Sequence, residues 1–141
     1  DAGIVHGFRE KFNVIESYGI DMIFCNDDEA IAFSGKDTLE EAIEFYKKQS
    51  YLMAITRGGD GSVVIKDGEL TSSPAESISP LDTNGAGDMF AGGVIHGLSE
   101  GWENAESVRF GNFLASKGVA EIGPRLKKNK YMEHLKEFSK K

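Results

Sequence analysis

The sequence predicts an α/β fold: a mostly parallel sheet flanked by helices, with one β-hairpin. Three observations carry this. Short apolar runs alternate with amphipathic helical patterns over the first half of the chain. An Asp67-Gly68 pair separates two strand-like runs, and Asp-Gly is a strong two-residue hairpin signal. The last third reads as successive helices. Strand and helix in alternation favour a parallel sheet with helical crossovers.

Each element has its own warrant. Val5, Phe8, Phe12 and Ile15 recur at helical spacing and predict a first helix over 4–17. Met22 to Cys25 is a buried strand feeding the polar Asn26-Asp27-Asp28-Glu29, and residues 29–33 form a short helix closed by Gly35. Thr38 and Glu41 make a capping box. Behind it Leu39, Ala42, Ile43 and Tyr46 line one helical face, while Glu44 and Lys48 pair across the other. Residues 51–56 are a strand, Arg57 to Gly61 a glycine turn, 62–66 a second strand and 69–72 its returning partner. The stretch 73–81, with Pro74 and Pro80, is extended or irregular. Helices are expected over 86–99, 103–122 and 129–139.

Composition narrows the function. With 141 residues, 40% hydrophobic and 28% charged, the chain has the make-up of a folded globular domain. Acids outnumber bases 23 to 16, a net charge of -7, which argues against general nucleic-acid binding. Phosphate ligands stay open, because backbone amides bind them without basic residues. No apolar run approaches the ~20 residues of a membrane span. A single Cys25 excludes an internal disulfide framework and fits a reducing cytoplasm; it reads as a small packed residue. His6, His96 and His134 have no metal-ligand spacing. Lysines at 127, 128, 130, 136, 140 and 141 form a basic tail, the solvated side of a helix whose apolar side is Met132, Leu135 and Phe138.

The chemistry concentrates in Leu81-Asp82-Thr83-Asn84-Gly85-Ala86-Gly87-Asp88. Gly85, Ala86 and Gly87 precede a helical apolar pattern, so their amides are unpaired donors at a helix start. Small residues let an anion approach that backbone, and the helix dipole adds partial positive charge. Asp88 stands beside this hole. Such a pair suits phosphoryl transfer: the amides take up charge on the transferring group, and the carboxylate accepts a proton from the attacking hydroxyl. On physics alone the same residues also serve as an ordinary helix start with a favourable first-turn acid. No Gly-x4-Gly-Lys-Ser/Thr is present, and no Gly-x-Gly-x-x-Gly follows a strand.

The string from Asp82 to Asp88 resembles the second signature of the PfkB (ribokinase-like) family of carbohydrate and nucleoside kinases, with every fixed position present. Asn26-Asp27-Asp28-Glu29 resembles that family's Asn-x-x-Glu motif, and Thr56-Arg57-Gly58-Gly59-Asp60-Gly61 its Thr-x-Gly-x-x-Gly loop. The stretches 111–117 and 123–126 (Gly123-Pro124-Arg125-Leu126) are similar to the bacterial adenosine-kinase-like branch.

The resemblance implies a ribokinase-like fold and ATP-dependent phosphorylation of a hydroxymethyl group on a sugar or nucleoside. It implies Asp88 as base and Gly85, Ala86 and Gly87 as anion hole. Asn26 and Glu29 support hydrated Mg2+; Thr56, Gly58 and Gly61 line the nucleotide; Asn112 lies near its base. Asp82 and the carbonyl of Asn84 stand where the family often binds a monovalent cation such as K+. For Asn112, the alternative is a hydrogen-bonded core residue on the stripe Ala105, Val108, Asn112, Ala115, Val119, Ile122. The motifs follow the order of the C-terminal part of such a kinase. Residues 1–141 are therefore expected to be its C-terminal ATP-binding and catalytic portion, without the N-terminal substrate and lid half; the start at Asp1, with no Met, fits a truncated or processed product. A homodimer is then a property of the full-length parent. The competing expectation is a nucleotide-binding or structural fragment without catalysis of its own.

Overall fold

Where periodicity predicts one helix over 4–17, the computed structural model of the chain has two, α1 (Ala2–Gly7) and α2 (Arg9–Ser17). The break falls at Phe8, whose φ of -122° and ψ of 21° leave the helical range. Hydrophobic spacing does not register a one-residue change of dihedrals. The structure describes residues 1–123 and 125–139. Pro124 of the Gly-Pro-Arg-Leu stretch, and Lys140 and Lys141 of the basic tail, lie outside the described residues.

Strand β1 (Met22–Asn26) runs into α3 (Asp27–Ser34), which ends on Gly35 at φ 66°. Helix α4 (Leu39–Tyr46) starts from Thr38, whose side chain accepts the Glu41 amide at 3.2 Å. Only half of the expected box closes, since Glu41 reaches back to the Asp37 amide. Glu44 pairs with Lys47 at 2.6 Å, not with Lys48. Then follow β2 (Leu52–Thr56), a short 3-10 turn (Gly58–Asp60), β3 (Ser62–Lys66) and β4 (Glu69–Ser73).

The strands lie in the order β1-β2-β3-β4. β1 and β2 are parallel, with Met22 opposite Leu52 and Asn26 opposite Thr56; α3 and α4 make the crossover. The connections Arg57–Gly61 and Asp67–Gly68 are far shorter than the dozen or so residues a parallel crossover takes. The later pairs therefore run antiparallel, and the sheet is mixed. Asp67 and Gly68 have φ of 52° and 81°, the left-handed pair that a tight hairpin requires.

The last three helices are α5 (Ala86–Ser99), α6 (Asn104–Val119) and α7 (Lys128–Phe138). α6 stops short of the expected 122, and Ile122 is 90% exposed. On α7, Phe138 is buried and Met132 exposed, so the apolar side is narrower than expected.

The chain forms two compact units: Asp1–Arg57 with Val63–Thr71, and Gly58–Ser62 with the chain from Ser72 onward. The first is built on Ala30, Ala42, Tyr46, Met53, Ile55 and Ile65. Its one buried phenol at α4 is satisfied, as Tyr46 donates to the Ala30 carbonyl at 2.7 Å. The second buries Phe110, Phe113, Leu114 and Phe138. There α5 and α6 meet through glycines: a Cβ on Gly93 would lie 2.7 Å from the Gly111 Cα. That contact fixes α5, and with it the start carrying Gly85 to Asp88, against α6.

Candidate active site

In the first unit, Asn26 and Glu29 close a reciprocal capping box. The Glu29 amide donates to Asn26 Oδ1 at 2.8 Å, and the Asn26 amide donates to Glu29 Oε2 at 3.0 Å. The other Glu29 oxygen takes the amino group of Asp1. Burial works to raise the Glu29 pKa, but the amino group and the Asn26 amide outweigh it and hold the carboxyl below its ordinary range. The Thr56 hydroxyl donates to the Cys25 carbonyl at 3.3 Å, tying the ends of β1 and β2. Burial, helped by Glu29 and Asp27, pushes the Cys25 thiol up to about 12. A thiol held protonated is a poor nucleophile, in line with the packing role read from sequence.

In the second unit, α5 begins at Gly85 with φ 78°, and no side chain caps it. The Ala86 amide is already used in a turn onto the Thr83 carbonyl at 3.2 Å. Among the described residues no hydrogen bond reaches the amides of Gly87 and Asp88, and Asp88 is exposed. Of the three amides the sequence places in the hole, only that of Ala86 is engaged; among the described residues no hydrogen bond reaches the amide of Gly85 either. Asp82 braces the preceding loop: one carboxylate oxygen accepts the Asn84 amide at 3.0 Å, the other the Gly123 amide at 3.1 Å. Those two bonds hold its pKa below the usual carboxylate value.

Next to this helix start lies a mostly apolar cavity of about 270 Å³, lined among others by Gly58, Ala86 and Asn112. Its size is near the lower end of small-molecule sites, ~300–1,000 Å³. Gly61 has φ 90°, and a Cβ there would meet the Ser73 carbonyl oxygen at 2.2 Å. The glycine is needed because the chain at 73–75 passes against it. Asn112 is 8% exposed and hydrogen-bonded on both sides of its amide, to Ser62, Ser73 and Pro74.

Residues 7–130 match the model of the pfkB family of carbohydrate kinases. The chain belongs to that family. Adenosine kinase of Schizosaccharomyces pombe is 32% identical over 136 residues, covering 84% of this chain and 39% of the relative. The crystal structure of adenosine kinase from Sinorhizobium meliloti superposes with a TM-score of 0.89 at 29% identity, over 97% of this chain and 42% of that one. Ribokinase from Thermotoga maritima gives a TM-score of 0.73 at 27% identity, over 86% of this chain and 43% of that one. The fold is thus ribokinase-like, and the chain spans about two-fifths of the length of the curated relatives it matches.

Within this pfkB chain, one cavity gathers Gly58, Ala86 and Asn112; Gly61 lies against the backbone at 73–75, and Asp82 is bonded to the Asn84 and Gly123 amides. Sequence reasoning left out the wall made by Ala75, Glu76 and Ile78. Pro74 and Pro80 mark that stretch as extended, but only the fold shows what it faces. Ser116 was also missed; it lies one turn after Asn112, which is the signal that finds it. Among the described residues, no group of three or more His, Cys, Asp or Glu comes together to hold a metal, and no helix is long and apolar enough to cross a membrane.

Proposed function

We propose that the whole protein transfers the γ-phosphoryl group of ATP to a hydroxymethyl group of a sugar or nucleoside. Residues 1–141 are its C-terminal ATP-binding and catalytic portion. The observation that carries this reading is the uncapped start of α5, with amides at Gly87 and Asp88 that no hydrogen bond reaches among the described residues and an exposed carboxylate in the same turn. Family membership makes phosphoryl transfer the chemistry to which such a site belongs. The nucleotide base enters the cavity beside Gly58 and Asn112, and the phosphates run toward the Gly85-Ala86-Gly87 backbone. Thr56 and Gly61 hold the loop beneath the nucleotide. Asp88 accepts the proton of the attacking hydroxyl. The amides and helix dipole balance charge on the phosphoryl oxygens as it transfers.

Mg2+, when bound with ATP, supplies neutralisation of phosphate charge. Asn26 and Glu29 would hold this ion through its water shell, because their side chains already close the capping box and, among the described residues, no three His, Cys, Asp or Glu side chains come together to ligate it directly. The fit of K+ to Asp82 and Asn84 is poorer: both Asp82 oxygens accept backbone amides, and no step is assigned to such an ion. The protein works in the cytoplasm on a small molecule, without nucleic acid or membrane, and any homodimer forms through the rest of the fold.

A second reading is favoured by the 39% coverage of the yeast relative: the 141-residue chain alone binds nucleotide without turnover, because acceptor contacts lie elsewhere in the fold. Assay of this chain and of a full-length parent, with ATP and a panel of sugars and nucleosides, separates the two. Turnover by the parent with at least one acceptor is expected. No phosphorylation of any acceptor by the parent would refute the proposal, and turnover by the short chain would refute the second reading.

A further inference from the structure

We propose that Asn112 is a positioning residue: it clips the extended segment after β4 and the start of β3 onto α6, and so sets the width of the cavity without reading the base inside it. This rests on the nucleotide reading for its functional half. The clip itself stands on the hydrogen bonds.

A carboxamide has two N–H donors and one acceptor oxygen. Both donors of Asn112 are spent on backbone: Nδ2 donates to the carbonyls of Ser73 at 3.0 Å and Pro74 at 3.2 Å. Two carbonyls on one side fix which end of the amide is nitrogen. The oxygen accepts the Ser62 hydroxyl at 3.0 Å. The side chain is more than nine-tenths buried, so releasing these bonds to greet a ligand would leave carbonyls unpaired at a cost. Ser116, the other polar side chain on the α6 wall, has likewise committed its hydroxyl hydrogen to the Phe113 carbonyl at 2.6 Å. Neither residue has an N–H or O–H left for a base.

The segment being clipped is the opposite wall. Ala75 and Glu76 line the cavity directly after Ser73 and Pro74. From the other side Gly61 presses on the same backbone, with no room for a Cβ against the Ser73 oxygen or the Ala75 nitrogen at 2.6 Å. Pro74 adds a fixed φ and has no amide of its own to pair. The wall is therefore held between a glycine that permits close approach and an asparagine that pulls it in. A base in this cavity meets mostly apolar surface from α6, and selectivity between purines owes nothing to Asn112.

The test compares Asn112→Ala and the milder Ser62→Ala with the unmodified protein. Dissociation constants for ATP and GTP are measured alongside hydrogen exchange of the Ala75, Glu76 and Ile65 amides. Asn112→Ala is expected to weaken both nucleotides about tenfold, the scale of one or two net hydrogen bonds, leaving the ATP-to-GTP ratio within about twofold on the same grounds. Exchange at Ala75 and Glu76 speeds up while Ile65, in the core of the first unit, stays slow; a global loss of stability would speed all three. Ser62→Ala shows the same pattern more weakly and serves if the alanine variant at 112 does not fold. A large change in the ATP-to-GTP ratio would overturn the proposal, because Asn112 would then be reading the base. Unchanged exchange at Ala75 and Glu76 would overturn it too. If the unmodified protein binds neither nucleotide, the functional reading fails, and the exchange data alone decide the clip.

Discussion

Helices α3 and α5 both begin with acid in the first turn, yet their starts are in opposite states. At α3, Asn26 and Glu29 satisfy each other's amides in a closed box. At α5, a left-handed Gly85 offers no side-chain acceptor, and among the described residues no hydrogen bond reaches the amides of Gly87 and Asp88. One asparagine against one glycine makes the difference. A box that spends its donors internally is a structural device. A start that leaves donors unspent keeps them for an anion.

Several substitutions break or sharpen this contrast. The largest effect belongs to Asp88→Asn in the full-length protein: turnover should fall by roughly 10²- to 10⁴-fold, the value of a positioned base, with nucleotide affinity kept. Steady-state kinetics beside direct binding measure it. Gly85→Ala comes next. A side chain at φ 78° costs roughly 1–2 kcal/mol, read as a lowered denaturant midpoint, and it should also weaken nucleotide binding because the strained turn carries the amides. Thr38→Ala is the control at a third helix start. Loss of that cap should cost about 0.5–2 kcal/mol with nucleotide affinity unchanged. The smallest effect is the acid limb of stability. Asp82 has a folded pKa below its unfolded value, so its contribution is present above the ordinary carboxylate range and is lost as pH falls through the folded pKa. Asp82→Asn should flatten that limb in acid-unfolding curves.

Much of the site could be read from local sequence. The helix over 86–99, its glycine start and the acid beside it are all set by neighbours in the chain. The hairpin at Asp67-Gly68 is likewise a local matter of left-handed dihedrals. What escaped depends on distance or on fine dihedral choice. Ser62 and Ser73 lie 50 and 39 residues from Asn112, so no spacing rule could show that its amide was already occupied; the stripe on α6 showed only that it faced inward. Glu44 had two lysines within reach and took Lys47. The Ala86 amide was expected in the anion hole, but a turn onto Thr83 claimed it. The parallel β1–β2 pair and the hairpin were both legible; the direction of β3 against β2 follows from the short connection after Thr56, where helix–strand alternation stops.

The contrast between the two helix starts is tested most directly by amide NMR of the 15N-labelled chain during titration with ATP in the absence of divalent metal. The account predicts saturable shifts at the Gly87 and Asp88 amides, while those of Asp28 and Glu29 stay in place. Unmoved α5 amides at saturating ATP, or shifts confined to the start of α3, would contradict it.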